Sequence, residues 1–201
     1  MPKITRIKQQ KDKNRVNIYL DDKFGFGIDL ENFVRLNLKV EQELTEIEVE
    51  EITKTAEFQK TSNKLLNYAT LRPRSEKEIK DWLRRKKVDE VHHEKLFKKL
   101  NKLDLLDDKK FAVWWVDQRN SFRPRSKRVL IQELRLKGID KNIIDNVLAD
   151  TEIDELKIAK NLIKKNKYKW ERFEVDVRKK KMGEYLMRKG FNWEIVKKAL
   201  G

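Results

Sequence analysis

Arg72-Pro73-Arg74-Ser75 is repeated as Arg123-Pro124-Arg125-Ser126, and each copy stands between segments whose apolar residues recur at helical spacing. The phrase reads as the joint of a repeated helical unit. A proline disfavours the helical region for the residue before it, so Arg72 and Arg123 are expected to be extended and to follow a helix end. The serine then starts a new helix. Ser75 is a good N-cap, and Glu78, three residues on, can reach back to the Ser75 backbone N–H to complete a capping box. Ser126 caps likewise, but Val129 stands where Glu78 does in the first copy. Lys127 and Arg128 put two cations in that first turn, each opposing the helix dipole at roughly a few tenths of a kcal/mol. A nearby anion would remove that cost.

Around the joints the repeat is explicit. An offset of 51 (126 minus 75) lays Ile79 on Leu130, Leu83 on Leu134 and Val88 on Ile139. An offset of 52 (190 minus 138) lays Lys189-Gly190 on Lys137-Gly138, Met182 on Leu130 and Leu186 on Leu134. The same offset lays Ile195, Val196, Ala199 and Leu200 on Ile143, Ile144, Val147 and Leu148 without a gap. Gly138 and Gly190 fit the left-handed position that ends a helix, where the first unit carries Lys87. In the third unit the joint is replaced by Val175-Asp176-Val177-Arg178. A period near 50 residues with three helices per period describes a helical array whose neighbours share a continuous core. The expected fold is therefore mainly α: an elongated, curved array of three three-helix repeats preceded by a small N-terminal β-sheet and a helix. The expected divisions are 1–60 for the extension and 61–106, 107–151 and 152–201 for the repeats.

In the extension, residues 3–8, 16–20 and 24–28 read as short antiparallel strands with a turn at Asp21-Asp22-Lys23, and a short helix is expected over 29–36. The acidic stretch 41–57 reads as a solvated helix leading into the repeats, capped by Thr45 with Glu48 as box partner. Charge is unevenly placed. Residues 1–60 hold 11 Lys/Arg against 12 Asp/Glu, residues 61–152 hold 23 against 15, and residues 153–201 hold 15 against 7. The basic character belongs to the repeats, and a field of this sign concentrates polyanions, nucleic acid first and acidic protein surfaces second. Cysteine is absent, which excludes disulfides and thiolate metal sites. Met1–Gln10 has no apolar leader core and no run approaches the length of a membrane span, so a cytoplasmic protein with no membrane partner, acting as a monomer, is expected.

Arg72, Arg74, Arg123 and Arg125 are the leading contact candidates, because a guanidinium pairs bidentately with carboxylate or phosphate and each joint presents two forks on one corner. The alternative is that one of each pair packs against a neighbouring helix end. Lys127 and Arg128 share the second corner, and Arg178-Lys179-Lys180-Lys181 is a basic run at the corresponding corner of the third unit. Trp82, Phe111, Trp114, Trp115 and Trp193 fall at or beside core positions, whereas Tyr168 and Trp170 lie among lysines and are expected at the surface. His92 and His93 would point about 100° apart on a helix, a poor metal site, and are expected exposed. No Gly-rich phosphate loop precedes a Lys-Ser or Lys-Thr, and no metal, cofactor or catalytic cluster is singled out.

The order R-x-R-S at the first joint, Asp107-Asp108-Lys109-Lys110-Phe111-Ala112 opening the second unit, and Lys137-Gly138-Ile139 resembles the RecX family, bacterial regulators of the RecA recombinase. The resemblance covers about residues 62–200, and the N-terminal strands look like the extension of longer members. The Val175–Arg178 joint and the Trp114-Trp115 pair depart from it. It implies no catalysis, but binding along the RecA–DNA filament, with modulation, mostly downward, of ATPase and strand exchange, and direct DNA binding in some members.

Overall fold

The computed structural model describes residues Met1–Gly201. The chain forms two compact units, one of residues 1–71 and 87–99, the other of residues 72–86 and 100–201.

The first unit opens with strands β1 (Ile4–Gln9), β2 (Arg15–Leu20) and β3 (Lys23–Asp29), antiparallel in the order β1-β2-β3. Leu20 pairs with Lys23 across a two-residue turn in which Asp21 and Asp22 adopt φ of 46° and 63°. That geometry suits the twist of a hairpin, and aspartate tolerates it. Alternation puts Val16, Ile18, Phe26 and Ile28 on the buried face. The β1 edge is covered by its own chain, since Ile4 N–H donates to Gln42 O at 2.9 Å and Glu41 N–H to Ile4 O at 2.8 Å. Helix α1 (Leu30–Arg35) starts at the Asp29 cap.

Helix α2 (Glu46–Thr70) opens with both halves of the expected capping box: Thr45 Oγ1 accepts from Glu48 N–H, and Glu48 accepts from Thr45 N–H at 2.7 Å. Val49, Ile52 and Ala56 of its first half pack on the buried sheet face. The helix runs for 25 residues, so the acidic segment and the first helix of the first repeat are one rod, continuous across residues 60 and 61. No Gly or Pro lies between Glu46 and Thr70 to stop it. Thr45→Ala is expected to destabilise the first unit by about 1 kcal/mol through loss of the cap, read as a lowered urea midpoint.

The repeats continue with α3 (Glu76–Arg85), a 3₁₀ turn (Glu90–His92), α4 (His93–Lys102), α5 (Asp108–Phe122), α6 (Lys127–Leu136) and α7 (Lys141–Asp150). The last repeat holds α8 (Glu155–Lys165), a 3₁₀ turn (Lys167–Lys169), α9 (Val175–Arg188) and α10 (Trp193–Leu200). In the second unit one core gathers Phe111, Ala112, Val116, Leu130, Leu134, Ile139, Ile144, Val147 and Leu148, and another gathers Ala159, Leu186, Phe191 and Val196. Ile79 and Leu130, Leu83 and Leu134, and Leu186 at the same position of the last repeat are all fully buried, whereas Val88 and Met182 are half-buried where Ile139 and Leu130 are buried. Gly138 and Gly190 take φ of 81° and 87°, and Lys87 takes 52° at the matching position. The glycines carry a second constraint. A Cβ on Gly138 would lie 2.7 Å from Lys77 Cβ, and one on Gly190 would lie 2.6 Å from Ser126 Oγ and closer still to Val129 Cγ2. Lys87 is exposed. No helix is long and apolar enough to cross a membrane.

Candidate interaction surface

Each joint starts a helix and also receives the end of a helix from the next repeat. Ser75 Oγ accepts from Glu78 N–H at 3.2 Å and donates to Lys137 O at 2.8 Å, so the start of α3 meets the end of α6. The Glu76 N–H, at the first helical position, donates to Asp108 Oδ1 of the next repeat at 2.8 Å. At the second joint Ser126 N–H lies 3.5 Å from Lys189 O, bringing the start of α6 to the end of α9, and Lys127 N–H donates to Glu155 Oε1 at 2.9 Å. Positive and negative helix ends are thus set against each other, and a carboxylate from the following repeat sits at each exposed N-terminus. Glu155 is the anion that the first turn of α6 lacks in its own sequence.

The side chains of the two joints have different fates. Glu78 does not return to the Ser75 N–H, so only half of that capping box forms. Instead it accepts both prongs of the Arg72 fork, at 2.9 and 3.1 Å, and the Lys137 ammonium at 2.6 Å, with Arg74 at 4.0 Å. Two cations, one from upstream and one from the next repeat, outcompete one neutral amide. Burial alone would push the Glu78 carboxyl up; the hydrogen bonds and charges of Arg72 and Lys137 outweigh it and hold the group below the usual glutamate range. Arg74 is buried, and Arg72 also lies over the Trp114 ring at 5.1 Å. Both arginines of the first joint therefore face inward.

At the second joint Val129 occupies the Glu78 position and offers no charge. Arg123 is exposed and Arg125 half-buried; neither makes an ion pair, and Arg125 Nε has no hydrogen-bond partner. Lys127 and Arg128 are exposed. Every ion pair in the protein lies N-terminal to Gly138, so the third repeat, with 15 basic residues over 153–201, neutralises none of them in this way. Its basic run divides. Lys179 and Lys180 are exposed, Lys181 lies 4.7 Å from the Phe173 ring centre, and Arg178 turns inward to donate to Glu171 O and Phe173 O at 3.1 and 3.0 Å. The joint cations and this run are thus brought into one unit, but not into one cluster of identical character.

Aromatic placement departs from expectation at two positions. Trp170 is buried, with its ring 5.3 Å from Tyr185, while Trp193 is 55% exposed. Trp193 is the first residue of α10, turned to solvent beside Lys197 one turn on. Tyr168 is exposed as expected; Phe111 is fully buried, and Trp114 and Trp115 pack on its core. Trp115 Nε1 and Arg119 Nε both donate to Glu133 Oε2, at 2.9 and 2.6 Å. His92 and His93 are half-buried, not exposed: the His92 ring lies tilted 5.1 Å from that of Phe58, and His93 Nε2 lies 3.0 Å from Val88 O. Sequence reasoning placed Glu78 at the first joint but with the Ser75 amide as its partner, and it missed Lys137 and Lys189 as members of the joints. The recurrence of Lys-Gly at residues 137–138 and 189–190 was the available signal.

Head-to-tail three-helix repeats with a surplus of unpaired cations define a basic helical-repeat protein. The comparisons agree and go further. Residues 2–45 match the regulatory protein RecX N-terminal domain, 107–148 the RecX second three-helix domain and 152–200 the RecX third three-helix domain. The chain is 33% identical to regulatory protein RecX of Bacillus licheniformis, over 100% of this chain and 77% of that protein. It is 32% identical to that of Listeria innocua, over 98% and 74%. A crystal structure of regulatory protein RecX superposes with a TM-score of 0.64 at 28% identity, covering 98% of both chains. That of RecX from Lactobacillus salivarius gives 0.59 at 26% identity, over 71% of this chain and 94% of that one. The chain belongs to the RecX family of regulatory proteins.

Proposed function

We propose that this chain is a non-enzymatic regulator that binds the RecA–DNA filament and lowers RecA ATP hydrolysis, strand exchange and the recombination and SOS functions that depend on them. The observation that carries the reading is the charge left unneutralised at the second joint and in the third repeat, on a scaffold whose relatives are named regulatory proteins. Contact residues are Arg123, Arg125, Lys127, Arg128, Lys179, Lys180 and Lys181. Arg72, Arg74 and Arg178 support them by holding the joints. Such a field matches DNA phosphate and acidic protein surface alike, and guanidinium forks pair with either anion.

Added to RecA on single-stranded DNA, the protein is expected to lower steady-state ATP hydrolysis at substoichiometric ratios; unchanged hydrolysis at saturating protein and low salt would contradict the proposal. A second reading, direct DNA binding without the recombinase, is favoured by exposed Tyr168 between Lys167 and Lys169, a stacking surface flanked by cations. Its mark is a steep salt dependence of DNA affinity with no effect on RecA.

A further inference from the structure

A cavity of about 550 Å³ opens at the second joint, between the end of α5 and helices α8 and α9. Arg123, Arg125, Lys165 and Lys189 line it, and no aspartate or glutamate does. None of these four cations makes an ion pair. Arg125 Nε is buried in the wall without an acceptor, and Asn120 Oδ1, on the same wall, has no donor. Burial, then the charges of Arg125 and Lys169, push the Lys189 ammonium below the usual lysine range, as expected where positive charge has no answer. Phe122 stands at the same cavity with 75% of its surface exposed.

The first joint shows what is missing. The offset of 51 lays Arg72, Arg74 and Glu78 on Arg123, Arg125 and Val129 (129 minus 78), and the offset of 52 lays Lys137 on Lys189 (189 minus 137). There, one internal carboxylate answers Arg72, Arg74 and Lys137. Here the cations remain and the carboxylate has become valine.

We propose that the cavity at the second joint is a phosphate-binding site, in which Arg125 and Lys189, with Arg123 and Lys165 at its walls, hold from outside the anion that Glu78 supplies from inside at the first joint. Phosphate fits better than a carboxylate side chain. The space exceeds a carboxylate, four cations outnumber what one such charge balances, and the arginine fork matches phosphate oxygens. The exposed Phe122 ring gives an attached base or sugar a face to rest on. The inference rests on the reading above only in treating the second joint as a contact surface, and its test omits RecA, so the two can fail separately.

The test is a ¹⁵N NMR titration of the full chain at low salt, with pyrophosphate and separately with an oligodeoxythymidylate. The expected result is that shifts cluster at Arg125, Asn166, Tyr185 and Lys189. Val129→Glu, which restores the internal carboxylate, is expected to weaken this binding about ten-fold or more, and Lys189→Ala to weaken it similarly, with far-UV circular dichroism unchanged. Shifts with the oligonucleotide alone identify a backbone phosphodiester, and shifts with both identify a site for phosphate groups generally; either supports the site. Wild-type binding by the folded Val129→Glu or Lys189→Ala protein, or no shift at the cavity with either probe, overturns it.

Discussion

Replacing Gly190 by alanine is expected to destabilise the protein by about 3 kcal/mol: about 1 for holding an L-residue in the left-handed region and the rest for forcing Val129 and Ser126 away. The measurement is the urea midpoint followed by circular dichroism, with the slope unchanged. Lys87 is the internal control. It adopts a left-handed φ of 52° with a full side chain, yet it is exposed. Close packing added to conformation therefore demands glycine at residue 190, whereas at residue 87 the conformation alone leaves room for a lysine. Lys87→Gly should change stability by less than about 1 kcal/mol, since relief of backbone strain and added chain entropy oppose each other.

Glu78→Ala is expected to cost about 2 kcal/mol, because Arg72, Arg74 and Lys137 lose their common counter-charge in a site largely closed to water. The value sits below the usual range for a broken buried pair since Arg72 keeps 27% of its side chain exposed. Its pH dependence has a definite sign. A carboxyl whose pKa is depressed by folding contributes stability that is fully present above its unfolded value, about 4.3, and lost as pH falls through the lower folded value. The stability difference between wild type and Glu78→Gln should therefore be constant near neutrality and shrink below about pH 4.3. A difference that instead widens with acid would remove Glu78 from the centre of the joint.

Much of this architecture is legible in the sequence. The repeat offsets placed Ile79, Leu83, Leu130, Leu134 and Leu186 in the core because burial at one helical face is a local, periodic property. The Thr45 box and the left-handed ends at Gly138 and Gly190 are also local, and they formed as expected. The failures have a common cause in long-range competition. The Glu78 side chain left the Ser75 amide for Arg72 and for Lys137, 59 residues away. No local rule weighs such a partner. The same holds for the acids at the joints: Asp108 and Glu155 cap helices of the preceding repeat, which only the packing of repeats discloses. Trp170 and Trp193 exchanged places because lysine neighbours in sequence do not determine which ring lies beneath them. The contrast between Glu78 and Val129 was visible in the sequence, but its meaning required seeing what Glu78 does.

In the proposed function the unneutralised cations of the second joint and third repeat engage the RecA filament, whereas the arginines of the first joint hold the fold. The most direct measurement is steady-state ATP hydrolysis by RecA on single-stranded DNA, titrated with wild type and with folded Arg123→Glu/Arg125→Glu/Lys179→Glu/Lys180→Glu protein. The prediction is that the wild type inhibits, and that the variant needs about ten-fold more protein or more for the same inhibition. Equal inhibition by the two proteins would assign the basic surface no part in binding the filament.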